Sequence, residues 1–244
     1  MSSETSVMRR SPAGLVRGAA GAAVMMTFVL AILFPLALPK LTRAAEQTAT
    51  APAPGVIVVL GDSLVAGYGL AESDAFPQKL EKALLAQDIP VRVLNAGVSG
   101  DTSAGGLARL DWSVPPEATA VIVELGANDA LRGLSPKATM DNLDTIISRL
   151  KQRGIKVLLA GMLSPPNMGR EYEDAFNTIY PALATKHEVP LYPFFLDGVA
   201  GQPTLNQADG MHPTEAGIDE IVARFLPFAI RLAQDITGNN SALR

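Results

Sequence analysis

From residue 55 to residue 237, segments typical of buried strands alternate with segments typical of amphipathic helices. Residues 56–60 are a continuous run of β-branched and aliphatic side chains, which indicates a strand buried on both faces. Strands that alternate with helices are joined by right-handed crossovers, which place them in one parallel sheet with helices on both faces. The sequence therefore predicts an α/β fold with five parallel strands. The predicted strands are residues 56–60, 91–95, 121–125, 157–160 and 191–194, and the predicted helices are residues 76–87, 136–153, 171–187 and 214–236.

The clearest of these helices, residues 136–153, carries its own boundary signals. Pro136 suits the first turn, Ser135 can cap it, and Gly154 follows its end. Met140, Leu143, Ile147 and Leu150 share the face that is expected to be buried.

A serine follows the first predicted strand, in the sequence Gly-Asp-Ser-Leu at residues 61–64. Ligands of open parallel sheets bind beyond the carboxyl ends of the strands. Ser63 is therefore expected in a loop at this edge, with its hydroxyl within reach of a substrate carbonyl. The motif is short, and an ordinary turn that ends a strand is an equal interpretation of this segment alone.

Two further segments follow predicted strands. Residues 95–102 contain Gly100, whose backbone N–H can approach a ligand closely because no Cβ intervenes. Residues 126–129 contain Asn128, whose side-chain amide is a donor that does not titrate at neutral pH. A flexible loop and an Asx turn are the competing interpretations, and Asp129 is expected to hold the turn rather than to take part in chemistry.

The chain contains two histidines. His187 ends a predicted helix beside Lys186 and Glu188, so it is expected to be solvated. His212 follows Asp209 by three residues in a turn that contains glycine. That spacing allows the carboxylate to accept the Nδ1–H, which leaves Nε2 free to take a serine proton. A purely structural Asp–His turn is the alternative.

Together the four segments lie at expected strand ends, in the order serine, glycine, asparagine, aspartate–histidine. The residues GDSL (61–64), NAGVSGDT (95–102), GAND (126–129) and DGMHP (209–213) resemble the four blocks of the SGNH/GDSL hydrolase family. The stretches GLARL (106–110), VELGANDALRG (123–133), NTIYPALA (177–184) and VPLYPFF (189–195) are similar to one branch of it. That branch is the exported bacterial thioesterase I, lysophospholipase L1 and arylesterase group, and the resemblance covers about residues 55–235.

The resemblance implies a flavodoxin-like three-layer α/β/α sandwich. It implies Ser63 as the nucleophile, His212 as the general base and Asp209 as the carboxylate that orients the imidazole. The Ser63 and Gly100 backbone N–H groups and the Asn128 side chain would form the oxyanion hole.

Four apolar residues are candidates for the walls of a substrate cleft. Leu131 and Leu134 follow the Asn128 segment, and Leu163 and Pro165 follow the fourth predicted strand. Their apolar character suits an acyl chain or an aryl group, and ordinary loop packing is the competing interpretation for each.

The N-terminal segment predicts export. Residues 18–39 contain no charged residue and follow Arg9, Arg10 and Arg17, the pattern of a signal peptide or an uncleaved anchor. As a helix the run would span about 33 Å at ~1.5 Å per residue, which is long enough to cross a bilayer. The expected location is periplasmic or secreted, or at the inner membrane if the segment is retained. The predicted divisions are a signal peptide or anchor at 1–44, a linker at 45–54, the hydrolase domain at 55–237 and a tail at 238–244.

Charge and composition exclude several classes of partner and cofactor. After residue 44 the chain carries 15 basic and 23 acidic residues, a formal net charge of −8, which disfavours nucleic-acid binding. It has no cysteine and no His-Glu-x-x-His motif, so neither a metal nor another cofactor is expected. The expected partner is a small ester or lipid substrate, with membrane contact only through an uncleaved N-terminal segment.

Three functions fit these motifs. The first is a serine esterase for aryl or short to medium acyl esters, and for thioesters or lysophospholipids, that forms an acyl-enzyme on Ser63. The second is a carbohydrate O-deacetylase, because the same catalytic blocks serve that reaction. The third, a tethered binding module with a relic site, is disfavoured by the intact set of catalytic residue types.

Overall fold

The computed structural model describes residues 55–238. The predicted N-terminal segment, the linker and the tail beyond Gly238 lie outside the described residues. Among the helices described, none combines the length and the apolar character needed to cross a membrane. The elements run in the order β1 (Val56–Gly61), α1 (Ser63–Ala66), α2 (Phe76–Leu85), β2 (Arg92–Gly97), α3 (Ser103–Ala108), α4 (Leu110–Ser113), β3 (Ala120–Glu124), α5 (Ala127–Leu131), α6 (Pro136–Gln152), β4 (Lys156–Ala160), α7 (Arg170–Asn177), α8 (Ile179–His187), β5 (Leu191–Tyr192) and α9 (Glu215–Thr237).

The five strands form one parallel sheet in the order β2-β1-β3-β4-β5, which confirms the predicted fold class. The chain starts at β1, moves to β2 on one side, and then crosses β1 to reach β3 on the other. Strands β1 and β3 are buried along their whole length, because helices cover both faces of the sheet. This reversal of strand order opens a crevice at the carboxyl ends of β1 and β3, where α/β proteins bind ligands.

Two groups of helices complete the three layers. Helices α2 and α9 pack against each other on one face, and α6 packs against α3 and α8 on the other. The α2–α9 layer is held by aromatic contacts: the Phe76 ring lies 4.9 Å from Phe195 and 5.3 Å from Phe225, measured between centroids. Phe225 also meets Tyr192 at 4.7 Å, so one side chain of α9 joins α2, β5 and the segment after it.

The predicted helix at residues 171–187 is wrong in one respect, since the structure divides it at Thr178 into α7 and α8. Pro181 explains the break. Proline has no N–H to donate to the carbonyl of residue 177, and its ring clashes with that carbonyl in a continuous helix. In the first turn of a new helix neither cost arises.

The other predicted boundaries differ from the observed ones by at most two residues, and one expected cap bond is not formed. Strand β5 ends at Tyr192 rather than at residue 194, because Pro193 cannot donate a ladder hydrogen bond. Helix α6 begins at Pro136 as predicted, but Ser135 makes no side-chain cap bond. The short helices α1, α3, α4 and α5 were not predicted, since each is shorter than two turns and has no readable periodicity.

Replacing Phe225 by alanine should lower the free energy of unfolding by about 3–5 kcal/mol, because a buried aromatic ring leaves a cavity that its neighbours fill only partly. Urea unfolding followed by circular dichroism measures the change. Trp112→Ala is the control, since this indole is 74% exposed and should change the free energy by less than about 0.5 kcal/mol. Equal losses in the two variants would contradict the description of the core.

Candidate active site

The carboxyl ends of three neighbouring strands are level with one another. In the parallel register Gly61 of β1 pairs with Gly97 of β2 on one side and with Glu124 of β3 on the other. The chain packs so closely here that a Cβ on Gly97 would lie 2.3 Å from the Ala66 nitrogen. The three segments that follow these strands therefore begin side by side.

Ser63 is the first residue of α1 rather than part of a loop, which corrects the sequence expectation. Asp62 caps this short helix: its Oδ1 accepts the Leu64 N–H at 3.0 Å. Gly67, at a φ of 79°, ends the helix in the left-handed region that favours glycine. The cap and the tight ending hold Ser63 in a turn that is almost completely buried.

A continuous hydrogen-bonded chain joins serine, imidazole and carboxylate. His212 Nε2 lies 2.9 Å from Ser63 Oγ, and His212 Nδ1 lies 2.6 Å from Asp209 Oδ2. The other Asp209 oxygen, Oδ1, accepts the backbone N–H groups of Met211 and His212 at 2.9 and 3.0 Å. The His212 backbone N–H, the imidazole and the Met211 N–H together lower the pKa of Asp209 to about 2. Asp209 is therefore ionised near neutral pH and accepts the Nδ1–H, so that Nε2 faces the serine hydroxyl.

Two residues that the sequence did not reveal support the imidazole. The Tyr68 ring packs on His212 with centroids 4.4 Å apart. Gln207 donates from Nε2 to the carbonyls of Tyr68 and Pro213 at 2.7 and 2.9 Å, and its backbone N–H donates to the His212 carbonyl at 2.7 Å. The glycines on either side of Tyr68 indicate a turn, but the sequence contains no signal for the ring that Tyr68 contacts.

Asn128 lies in the first turn of α5 and faces the serine turn. Its Nδ2 donates to Asp62 Oδ2 at 3.0 Å, which uses one of the two amide hydrogens and fixes the side chain. Gly126 precedes the helix at a φ of 119°, and a Cβ there would lie 2.2 Å from the Tyr180 hydroxyl. The close approach of the chain at residue 126 to the Tyr180 hydroxyl therefore requires glycine.

Gly100 lies in the turn after β2, at a φ of 82°. Its carbonyl accepts a hydrogen bond from Arg132 Nη2 at 2.7 Å, which ties this turn to the end of α5, the helix that carries Asn128. Gly100 is not among the residues that line the cavity at the site.

Two charged residues, Arg109 and Asp129, hold the segments that follow the strands through hydrogen bonds. Arg109, which the sequence did not reveal as important, is buried and pairs with Asp101 at 2.6 Å. It also donates to the carbonyls of Ala96 and Gly61, each at 2.8 Å, and so joins the ends of β1 and β2. Asp129 accepts the N–H and hydroxyl of Ser103 at 2.8 and 2.5 Å, contacts that support the expected structural role.

A cavity of about 500 Å³ opens beside Ser63, Asn128 and His212. Of the four predicted wall residues, Leu131, Leu163 and Pro165 line it. Leu134 is not among the lining residues, and its carbonyl accepts a hydrogen bond from the Tyr172 hydroxyl at 2.7 Å. Further apolar walls come from Met162, Pro166, Phe194, Leu196 and Ala200.

The expectation of a solvated His187 is also wrong. Its side chain is 10% exposed and its Nε2 lies 2.6 Å from Asp144 Oδ1. Lys186 reaches the same carboxylate at 2.7 Å, and these two partners, Lys186 first, lower the pKa of Asp144. The reason is the packing of α8 on α6, which turns the last residue of α8 toward its neighbour.

Within residues 55–238 there is no cluster of three or more His, Cys, Asp or Glu side chains that could hold a metal ion.

The model of the GDSL-like lipase/acylhydrolase family matches residues 59–219, which contain every candidate catalytic residue. The chain belongs to this family. Esterase TesA of Pseudomonas aeruginosa is 42% identical to this hydrolase over 194 residues, which are 79% of this chain and 92% of the relative. An arylesterase of Vibrio mimicus is 43% identical over 70% of this chain and 87% of its own. The thioesterase 1/protease 1/lysophospholipase L1 of Escherichia coli K12 is 42% identical over 68% of this chain and 79% of its own.

The fold is similar to that of a relative as well. A crystal structure of TesA superposes on this hydrolase with a TM-score of 0.69 and 41% identity, over 72% of this chain and 99% of that one. The superposition therefore covers almost the whole of the TesA chain.

Asp209→Asn should reduce kcat on a p-nitrophenyl ester by about 10²–10⁴, because the new NH₂ group that faces the imidazole cannot accept its Nδ1–H and the unproductive tautomer is favoured. The asparagine Oδ1 can still accept the Met211 and His212 N–H groups, so the turn should keep its shape. Nitrogen NMR of the imidazole reports the tautomer, and steady-state kinetics report kcat. Asp197→Asn, which removes an exposed carboxylate paired with Arg224, is the control and should be neutral. An unchanged tautomer in the active-site variant would contradict this assignment.

Proposed function

We propose that this hydrolase cleaves carboxylic esters through an acyl-enzyme on Ser63. The observation that carries the proposal is the unbroken chain from Ser63 Oγ through His212 to Asp209, at the mouth of an apolar cavity. The membership of the GDSL-like lipase/acylhydrolase family and the named activities of the relatives support the same chemistry.

In the proposed cycle Ser63 Oγ attacks the ester carbonyl while His212 Nε2 takes the hydroxyl proton. The carbonyl π electrons move to oxygen, and the tetrahedral intermediate collapses when the C–O bond to the leaving alcohol breaks. His212 gives its proton to that alcohol. A water molecule then attacks the acyl-enzyme, again with proton transfer through His212, and releases the acid and Ser63.

The negative oxygen of each intermediate needs donors that are already in place. We assign this role to the backbone N–H groups of Ser63 and Gly100 and to the Asn128 side chain. The Asn128–Asp62 hydrogen bond supports the assignment, because it holds the amide before substrate arrives. The Arg132 contact does the same for the turn that contains Gly100.

The cavity favours an acyl chain or an aryl group over a sugar. Leu131, Leu163, Pro165 and Phe194 offer apolar surface, and apolar residues outnumber polar ones in the lining. Esters, thioesters and lysophospholipids all present an apolar group next to a carbonyl, whereas an acetylated carbohydrate presents hydroxyls that this lining would leave unpaired.

The N-terminal sequence supports a proposal of export to the periplasm or the medium. Residues 18–39 are uncharged and follow three arginines, which are expected to stay in the cytoplasm. If the segment is retained, it supplies the proposed membrane contact.

Asn128→Ala should lower kcat by about 10²–10³, because one preorganised donor to the oxyanion is lost. Rates with p-nitrophenyl butyrate, together with thermal unfolding, separate this effect from misfolding. Ser63→Ala serves as the inactive reference and should also fail to react with a fluorophosphonate probe. A folded Asn128→Ala protein with normal turnover would remove this side chain from the mechanism.

A panel of p-nitrophenyl esters should show kcat/KM rising with acyl length until the cavity is full, by up to about fourfold for each buried CH₂ at ~0.8 kcal/mol. O-acetylated xylose and O-acetylated xylose oligomers are the comparison substrates. Faster turnover of the sugars than of every aryl ester would favour the O-deacetylase instead.

A further inference from the structure

Two carboxyl groups lie buried directly behind the nucleophile, and the reaction described above uses neither. Asp62 and Glu124 are both completely inaccessible to solvent. Glu124, the last residue of β3, accepts the Asp62 N–H on its Oε2 at 3.3 Å. A Cβ on Gly61 would lie 2.7 Å from that oxygen, so the glycine leaves room for the acid.

Asp62 connects the two halves of the site. Its Oδ1 accepts the Leu64 N–H and so fixes the start of α1, where Ser63 lies. Its Oδ2 accepts the Asn128 amide and so fixes the proposed oxyanion donor. The position of Asn128 relative to Ser63 therefore depends on where this one carboxylate sits.

Two neighbouring anions without water would repel each other and would each lack solvation. Burial raises the pKa of Asp62 to about 6. Burial, and then the charge of Asp62, raise the pKa of Glu124 well above its ordinary value. Oε1 of Glu124 is buried and has no hydrogen-bond partner among residues 55–238. Asp62 has two N–H donors to support a charge and Glu124 has one, so Glu124 is the group that keeps the proton.

Arg109 lies near the pair but does not neutralise it. Arg109 donates to the Gly61 carbonyl, but its Nε is paired with Asp101. Among residues 55–238, neither Asp62 nor Glu124 forms an ion pair with a lysine or an arginine. The titratable groups whose charge bears on the pair or on its neighbours are His212 from the loop before α9, Asp101 from the turn after β2, Tyr180 from α8 and Asp129 from α5.

We propose that Glu124 is a positioning residue for the esterase site: it holds one proton between its carboxyl and that of Asp62, and this proton keeps Asp62 in the place that aligns Ser63 with Asn128. The inference rests on the proposed function. Glu124 does not reach the substrate and acts only through Asp62. When the proton is lost at high pH, two anions face each other, Asp62 is pushed from its contacts, and the Asn128 donor moves.

Glu124→Gln tests the proton directly, because its carbonyl can accept the Asp62 N–H while its NH₂ donates permanently to the Asp62 carboxylate. At pH 7 its kcat should stay within about threefold of the wild type, and the fall of kcat at alkaline pH should weaken or disappear. Glu124→Leu, which has no donor, should lose about 10–100-fold in kcat while KM changes less than about threefold, the signature of a misplaced oxyanion donor. A purely structural role would give no difference between the pH profiles of the glutamine variant and the wild type.

The dependence of stability on pH gives a second readout that needs no substrate. The native protein keeps a proton that the unfolded chain releases near pH 4, so the wild type loses unfolding free energy as pH rises from there through the pKa of the folded pair. Glu124→Gln has no such proton, and its stability relative to the wild type should therefore increase between pH 5 and pH 8. Glu81→Gln is the matched control, since Glu81 also accepts a backbone N–H, that of Val93, far from the site. Its stability relative to the wild type should not depend on pH in the same way.

Failure of the inference and failure of the proposed function give different results. A fully active Glu124→Leu protein, or a glutamine variant whose relative stability follows that of Glu81→Gln, would overturn the positioning role. A wild-type protein that hydrolyses no ester and does not react with the fluorophosphonate probe would instead overturn the esterase proposal, while the stability comparison would still decide whether the pair shares a proton.

Discussion

The level register of three parallel strands is the constraint on which the site depends. Because β1, β2 and β3 end side by side, the serine turn, the glycine turn and the asparagine helix leave the sheet as neighbours. Their contacts are then short and specific. Arg109 joins the ends of β1 and β2, Arg132 joins the glycine turn to α5, and Asp62 joins α5 to the serine turn. A shift of one residue in β3 would break the Asp62–Asn128 contact even if every strand remained paired.

The carboxyl groups on the two sides of Ser63 differ in their exposure to solvent. On the side of His212, the Asp209 carboxylate is partly exposed and accepts two backbone N–H groups besides the imidazole, so its charge is stable and can support a developing imidazolium. On the side of Asn128, the carboxyls of Asp62 and Glu124 are dry, and their charge is costly. Asp209 is thus suited to remain ionised. Asp62 and Glu124 instead support the site, and their role depends on the proton that the pair retains.

The sequence predicted the sheet, its parallel direction and four of the five strand positions closely, because apolar runs and amphipathic periods are local properties. The hydrogen-bonded contact of Ser63, His212 and Asp209 was also foreseen, since their segments have recognisable blocks. What remained hidden depends on contacts between distant segments. Tyr68 acquires its role only when its ring meets His212, His187 only when Asp144 of α6 faces it, and Glu124 only when Gly61 leaves space for its carboxyl. The split at Thr178 was readable from Pro181 in hindsight, but proline near a helix start and proline inside a helix look alike until the boundary is known.

His212 reaches Ser63 from 149 residues further along the chain, in the segment that leads into α9. Lys79 of α2 contacts Asp219 of α9 at 2.6 Å, and the Phe76–Phe225 contact lies in the same layer. A ribosome must therefore complete almost the whole domain before His212 can meet Ser63. During synthesis and any passage through a translocon the hydroxyl is an ordinary alcohol, so the order in which the chain is made delays hydrolytic activity until folding is finished.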